Sequence, residues 1–193
     1  LESRVKDTKY LEFKTLSTLS NETDKDILDG LHSFIDAYKD WIDEQVDAVY
    51  TTEANEVRLN CMADYERMAK NLALLNDSKN MLAFRLMNTA MFMQLWHSQA
   101  DNQSILQTAC RGKREIPEDF YKGLSSEVRK GYGPAAWRSF QLAFIILNMD
   151  GIIQRDDDPT WEQRNKVVDL VWFPTGGGKT EAYLGIIAFC VIT

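Results

Sequence analysis

The feature that most constrains this chain is a junction near its C-terminal end. Seven residues, Val167-Val168-Asp169-Leu170-Val171-Trp172-Phe173, run into Pro174-Thr175-Gly176-Gly177-Gly178-Lys179-Thr180, and a largely apolar stretch follows from Glu181 to Phe189. β-Branched and aromatic residues bounded by turn chemistry predict a buried strand, and an apolar run of this kind suggests a parallel sheet. Residues 181–189 read as a helix. Strand, glycine loop, Lys-Thr and helix is the context required of a phosphate-binding loop. The chemistry needs glycines because the backbone curls around phosphate oxygens and presents successive N–H groups, which a Cβ would obstruct. Thr175, Gly176, Gly177, Gly178, Lys179, Thr180 and Glu181 are therefore the candidate nucleotide-binding residues. Lys179 brings a point charge to the β and γ phosphates, the Thr180 hydroxyl is the expected Mg²⁺ ligand, and the helix N-terminus adds its partial positive charge. Lys179 and Thr180 are the candidate catalytic residues, and ATP with Mg²⁺ is the expected cofactor pair.

The generic P-loop pattern would place a glycine at position 173, where this chain has Phe173. Without that glycine, the loop 174–180 behind an apolar strand resembles motif I of superfamily 2 helicases and translocases. Trp137-Arg138-Ser139-Phe140-Gln141 lies upstream, with Gln141 38 residues before Lys179. An aromatic-Gln pair in that place resembles the Q-type motif with which such enzymes read adenine. A Gln amide can donate to one adenine edge atom and accept from another. Phe140 and Gln141 thus join the candidate site, although Gln141 reads equally well as a solvent-facing helix residue.

Three blocks carry a narrower resemblance: residues 168–185 around the loop, 137–144 around Gln141, and Ala83-Phe84-Arg85-Leu86-Met87-Asn88-Thr89-Ala90-Met91. Together they resemble the helicase subunit of DISARM anti-phage systems, over about residues 55–189. The resemblance implies a large bacterial ATPase with a helical N-terminal region ahead of two RecA-like domains, acting on DNA with a partner subunit to restrict phage. On that basis the expected fold is mainly α: a helical domain over 1–133 for DNA or partner contact, then over 134–193 the first strand, P-loop and helix of a RecA-like α/β domain. The chain opens on Leu1 and closes inside an apolar run, so it reads as a fragment of a longer protein. A superfamily 2 motor also needs an acidic box on a later strand and arginines from a second RecA-like domain. Neither follows Lys179 here, so the fragment is not expected to hydrolyse ATP alone. Asp43-Glu44-Gln45-Val46 matches the acidic box only in letters, since it precedes the loop on an amphipathic helix. Two other readings are a P-loop kinase or GTPase, against which Phe173 and the helical region stand, and a helical module that docks a partner or DNA.

Ahead of the loop the pattern is helical. Ile27, Leu31, Phe34, Ile35, Tyr38, Trp41, Ile42, Val46 and Val49 form a 3.6-residue stripe within 24–50, with Thr23 as N-cap and Asp24 and Asp26 in the first turn. A second helix is predicted over 53–75. A third, over 79–97, is apolar on nearly every side, but Arg85, Asn88 and Gln94 interrupt it, which favours burial in a soluble core over a membrane span. Its methionines read as core filler. A short helix is expected near 118–130 between loops, and another over 135–149.

Charge qualifies the partner question. The net charge is −7, yet residues 21–60 alone hold 11 acidic against 3 basic residues, and residues 61–193 are balanced. Within 111–138 seven basic residues face four acidic ones, with Tyr121, Tyr132 and Trp137 interleaved, a combination that can touch phosphate and stack a base. Cys61, Cys110 and Cys190 lie far apart, and His32 and His97 are the two histidines. Zinc and a disulfide framework are both disfavoured, and the cytoplasm is the expected compartment.

Overall fold

The computed structural model describes residues 7–45, 51–99, 102, 104–105, 108, 110, 116, 119–128, 131–153 and 178–193. The strand expected over 167–173 and the loop as far as Gly177 lie outside the described residues, as do residues 46–50 of the first predicted helix. The described residues are mainly helical: α1 (Phe13–Leu16), α2 (Asp24–Glu44), α3 (Thr52–Leu72), α4 (Ser78–Ser98), α5 (Ser139–Ile152) and α6 (Lys179–Ile192). Two 3₁₀ turns, Thr8–Leu11 and Ala73–Asn76, adjoin α1 and α3.

Helix α2 forms where the stripe places it. Ile27, Leu31, Phe34, Ile35 and Ile42 are buried, while Asp29, Asp36, Asp40, Asp43 and Glu44 stay exposed. The Thr23 hydroxyl accepts from the Asp26 N–H at 3.1 Å and the Asp26 carboxylate accepts from the Thr23 N–H at 3.1 Å, a reciprocal capping box. The acidic-box look-alike sits on the exposed side of this helix, where Lys39 pairs with Asp43 at 2.5 Å. Helix α4 is the central one. Met81, Phe84, Met87, Met91, Phe92 and Trp96 are all buried, so the methionines are core residues.

Four polar pins set the packing. Arg85 of α4 donates to the Ser17 carbonyl and pairs with Asp24 at 2.6 Å, fixing α4 to the start of α2. Asn71 of α3 donates to the Ile146 and Leu147 carbonyls of α5, at 2.8 and 3.1 Å. Asn102 bridges the end of α4 to the turn region by donating to the Trp96 and Val128 carbonyls, both at 3.0 Å. The fourth pin joins Asn88 to Trp137 and belongs to the site below. A buried amide left without partners is costly, so each of these contacts specifies one arrangement of helices.

Two expectations change. Residues 119–128 form turns and bends and not a helix, held by Lys14, whose ammonium donates to the Lys122 and Leu124 carbonyls. Burial there lowers the Lys14 pKa. The segment 135–138 is likewise extended: the Phe13 N–H donates to the Ala135 carbonyl at 2.9 Å, the Trp137 N–H donates to the Leu11 carbonyl at 2.8 Å, and Glu12 and Ala136 form an isolated antiparallel bridge. Long-range backbone partners outcompete the helical pattern of 135–149, and α5 starts only at Ser139. One hydrophobic core runs from Leu11 through α2–α5 to Phe189 of α6, so packing is continuous across residue 133. No helix among the described residues is long and apolar enough to cross a membrane.

Candidate functional site

Gly178 is the first described residue of the glycine loop and the N-cap of α6, and it adopts φ 82°, ψ 32°. This left-handed geometry favours glycine, and space demands it as well. A Cβ on Gly178 would lie 2.5 Å from Gln141 Nε2 and 3.1 Å from Glu181 Oε2. With no side chain to cap it, α6 begins with its first backbone N–H groups unclaimed by any N-cap side chain. Lys179, half-buried, and Thr180 and Glu181, both exposed, make up the first helical turn. An acidic residue there is compatible with the helix dipole.

The structure brings this turn together with the other sequence candidate. Gln141 is buried, 4% exposed, in the first turn of α5. Its Nε2 donates to the Gly178 carbonyl at 2.6 Å, and its Oε1 accepts from the Arg138 N–H at 2.8 Å. The solvent-facing alternative for Gln141 is thereby overturned. Phe140, its neighbour, is half-buried and does not line the cavity described next.

A cavity of about 600 Å³ opens at this junction. Gly178, Lys179, Thr180 and Glu181 form one end, Arg138 and Gln141 one side, and Phe13, Met91, Gln94, Leu95 and Ala136 the rest. That volume falls in the range of ligand pockets, and the mix of an apolar wall with a few convergent polar groups is typical of them. Two of its walls, Phe13 and the Met91–Leu95 stretch of α4, come from the helical N-terminal part of the chain. Nothing in the sequence blocks around the loop signals them, because they approach through tertiary packing.

Trp137 explains how these parts are held in register. Its indole N–H donates to Asn88 Oδ1 of α4 at 2.8 Å, and the Asn88 amide in turn donates to the Phe84 carbonyl at 2.9 Å. Its ring meets Phe13 edge-on with centroids 4.6 Å apart. Across from it lies Gly185 of α6, where a Cβ would come within 2.7 Å of the indole. One side chain, two residues ahead of α5, thus joins α1, α4 and the helix that follows the glycine loop. Trp137 is 2% exposed and is no stacking platform for a base. Tyr121 is also buried, against Trp96 and Phe120, with its hydroxyl 2.8 Å from His97 Nε2. Of the aromatics interleaved with the basic stretch, Tyr132 is exposed, and Arg111, Lys113, Arg114, Arg129 and Lys130 lie outside the described residues. The candidate residues Thr175, Gly176 and Gly177 are outside them too.

No protein-family model matches the chain. A curated relative does: the chain is 36% identical over 185 residues to the DISARM protein DrmA of Bacillus paralicheniformis, an alignment covering 93% of this chain and 14% of that much longer protein. Nearly the whole chain is therefore related to one stretch of a DISARM protein.

Proposed function

We propose that the chain is part of an ATP-driven DNA helicase or translocase acting in anti-phage defence beside a partner subunit, with ATP-Mg²⁺ held at the glycine loop. The observation that carries this reading is the meeting of Gly178, Lys179 and Thr180 with Gln141 at one cavity, in a chain whose sequence leads from an apolar stretch into the loop 174–180. The residues suit a triphosphate. A left-handed glycine at the N-cap leaves room for close approach to the positive end of the α6 dipole, Lys179 supplies positive charge, and the Thr180 side chain is exposed where a Mg²⁺ ligand is needed. Bound Mg²⁺ would neutralise charge on the phosphates. Relatedness to a DISARM protein supports the defence setting and the expectation of a partner subunit.

The test uses the full-length parent. Mg²⁺-dependent ATP hydrolysis, stimulated by DNA and less so as salt rises because phosphate contacts release counterions, is the expected outcome. Lys179→Ala should lower turnover on the order of 10²-fold or more, the scale for removing a group that stabilises developing charge, with an unchanged melting temperature. Wild-type turnover in that variant would remove Lys179 from the phosphate site and the reading with it.

A further inference from the structure

We infer that Gln141 is a positioning residue for the phosphate loop: its amide holds the Gly178 carbonyl, and so the start of α6, in the geometry that receives a triphosphate. This rests on the nucleotide reading above, and it assigns Gln141 a task different from reading adenine. A base reader presents its donor and acceptor to the ligand. Gln141 has both ends of its amide on backbone, at 2.6 Å to the Gly178 carbonyl and 2.8 Å from the Arg138 nitrogen, with 4% of the residue exposed.

The Gly178 carbonyl depends on this contact. Its helical partner, the Ala182 N–H, stands at 3.5 Å, the outer limit of a hydrogen bond, so the Gln141 donor at 2.6 Å is the stronger of the two. Gly178 has no side chain with which to fix its own peptide, and its positive φ lets that peptide take orientations closed to other residues. The clamp itself is rigidly mounted. Gln141 sits three residues into α5 from Arg138, and the preceding Trp137 is tied to α4 through Asn88 and to the Leu11 carbonyl through its backbone. Closeness finishes the case: the gap between Gly178 and the amide is too small for one methyl group.

Gln141→Glu separates the two hydrogen bonds. A carboxylate still accepts from the Arg138 N–H, and so still serves the first turn of α5, but it cannot donate to the Gly178 carbonyl and repels it. In the full-length parent, affinities for ATP, GTP and inorganic tripolyphosphate, each with Mg²⁺, should all fall by a similar factor of about tenfold, the scale of one lost hydrogen bond with an unpaired partner. The ratio of ATP to GTP affinity should hold. Relative to wild type at the same pH, the deficit should recede on acidification, because burial against a carbonyl raises the carboxyl pKa and the protonated form can donate again. Gln141→Met, neutral and of similar length, guards against a buried carboxylate that unfolds the chain: it should show the same base-independent loss with no recovery at low pH. Loss of ATP affinity with tripolyphosphate binding untouched would overturn the inference in favour of a base reader, and unchanged affinity for all three would overturn it outright. Lys179→Ala, run alongside, tells the failures apart. If it weakens all three ligands while the Gln141 variants do not, the positioning role alone falls; if it weakens none, the nucleotide reading falls too.

Discussion

Helix α2 opens on a cap built from its own sequence, Thr23 and Asp26, whereas α6 opens on Gly178, which has no side chain and takes its partner from Gln141, 37 residues upstream. In α2 the donors of the first turn are spent locally, its apolar stripe faces α3 and its carboxylates face solvent. In α6 the N-cap residue has no side chain to spend on the first turn, that turn faces a cavity, and the helix is held by Trp137 against Gly185 and by packing on α4 and α5. A helix start that serves only stability is cheapest when it is encoded within four residues. One maintained from a distance fits the nucleotide reading proposed above, in which the donors at the start of α6 serve a ligand.

The sharpest way to break the contrast is to remove what holds α6 from outside. Trp137→Ala should destabilise the protein by about 3–5 kcal/mol, as for buried aromatic truncations. It also leaves Asn88 Oδ1 buried without its indole donor, which adds to the cost. Thermal unfolding of the parent checks this, and nucleotide affinity should fall with it because α6 loses its register. A variant that keeps its melting temperature would mean that Trp137 does not couple these helices.

Next in size is Gly178→Ala. Placing an L residue at φ 82° costs about 1–2 kcal/mol in backbone terms, and the new Cβ meets Gln141 Nε2 and Glu181 Oε2. The measurable consequence is a weaker triphosphate affinity with a modest fall in melting temperature. Joining it to Gln141→Ala opens the space but leaves the strained φ and removes the donor to the Gly178 carbonyl, so affinity should stay at or below that of Gln141→Ala alone. Recovery to the wild-type affinity would show that contact, and not backbone conformation, sets the glycine requirement, and that the Gln141 donor is dispensable.

What the sequence made legible follows the same division. Helix α2, its cap and its buried face could be read directly, because amphipathic period and capping chemistry are local. So could the burial of α4, whose apolar residues surround the axis, and the core role of Met81, Met87 and Met91. Residues 135–138 misled: their composition suits a helix, but Phe13 and Leu11 supply backbone partners from more than 120 residues away and draw the segment out straight. Trp137 and Tyr121 misled for a related reason, since an aromatic among basic residues looks like a stacking surface until its partners, Asn88 and His97, are known. Gln141 was legible as a candidate by its place upstream of the loop. Its hold on Gly178 was not, because no local pattern records a contact across 37 residues. Phe13, Met91 and Gln94 entered the cavity wall unannounced for the same cause.

The smallest effect is expected at α2, and it tests whether that helix is as independent of the site as its geometry says. The Asp26 carboxylate accepts from the Thr23 hydroxyl at 2.6 Å and from the Thr23 N–H at 3.1 Å, and these bonds, the hydroxyl first, hold its pKa below the ordinary aspartate value. A carboxyl whose pKa is lower when folded contributes stability above its unfolded pKa of about 3.9, and that contribution drains away as pH falls through the lower native value. Thr23→Ala should cost about 1 kcal/mol at neutral pH by removing the cap of the Asp26 N–H. It should also return Asp26 toward its ordinary pKa, so the stability gap between variant and wild type narrows below about pH 4, near that unfolded value. Asp26→Asn should flatten the same acid limb, and only slightly, because the carboxylate is exposed to solvent. Urea titrations of the parent at a series of pH values would read both. Triphosphate affinity should stay at the wild-type value in each variant, since neither residue lines the cavity. A drop in affinity on breaking the α2 cap would mean that the two helix starts are coupled through α4, to which Arg85 ties the beginning of α2, and that the local cap is part of the site after all.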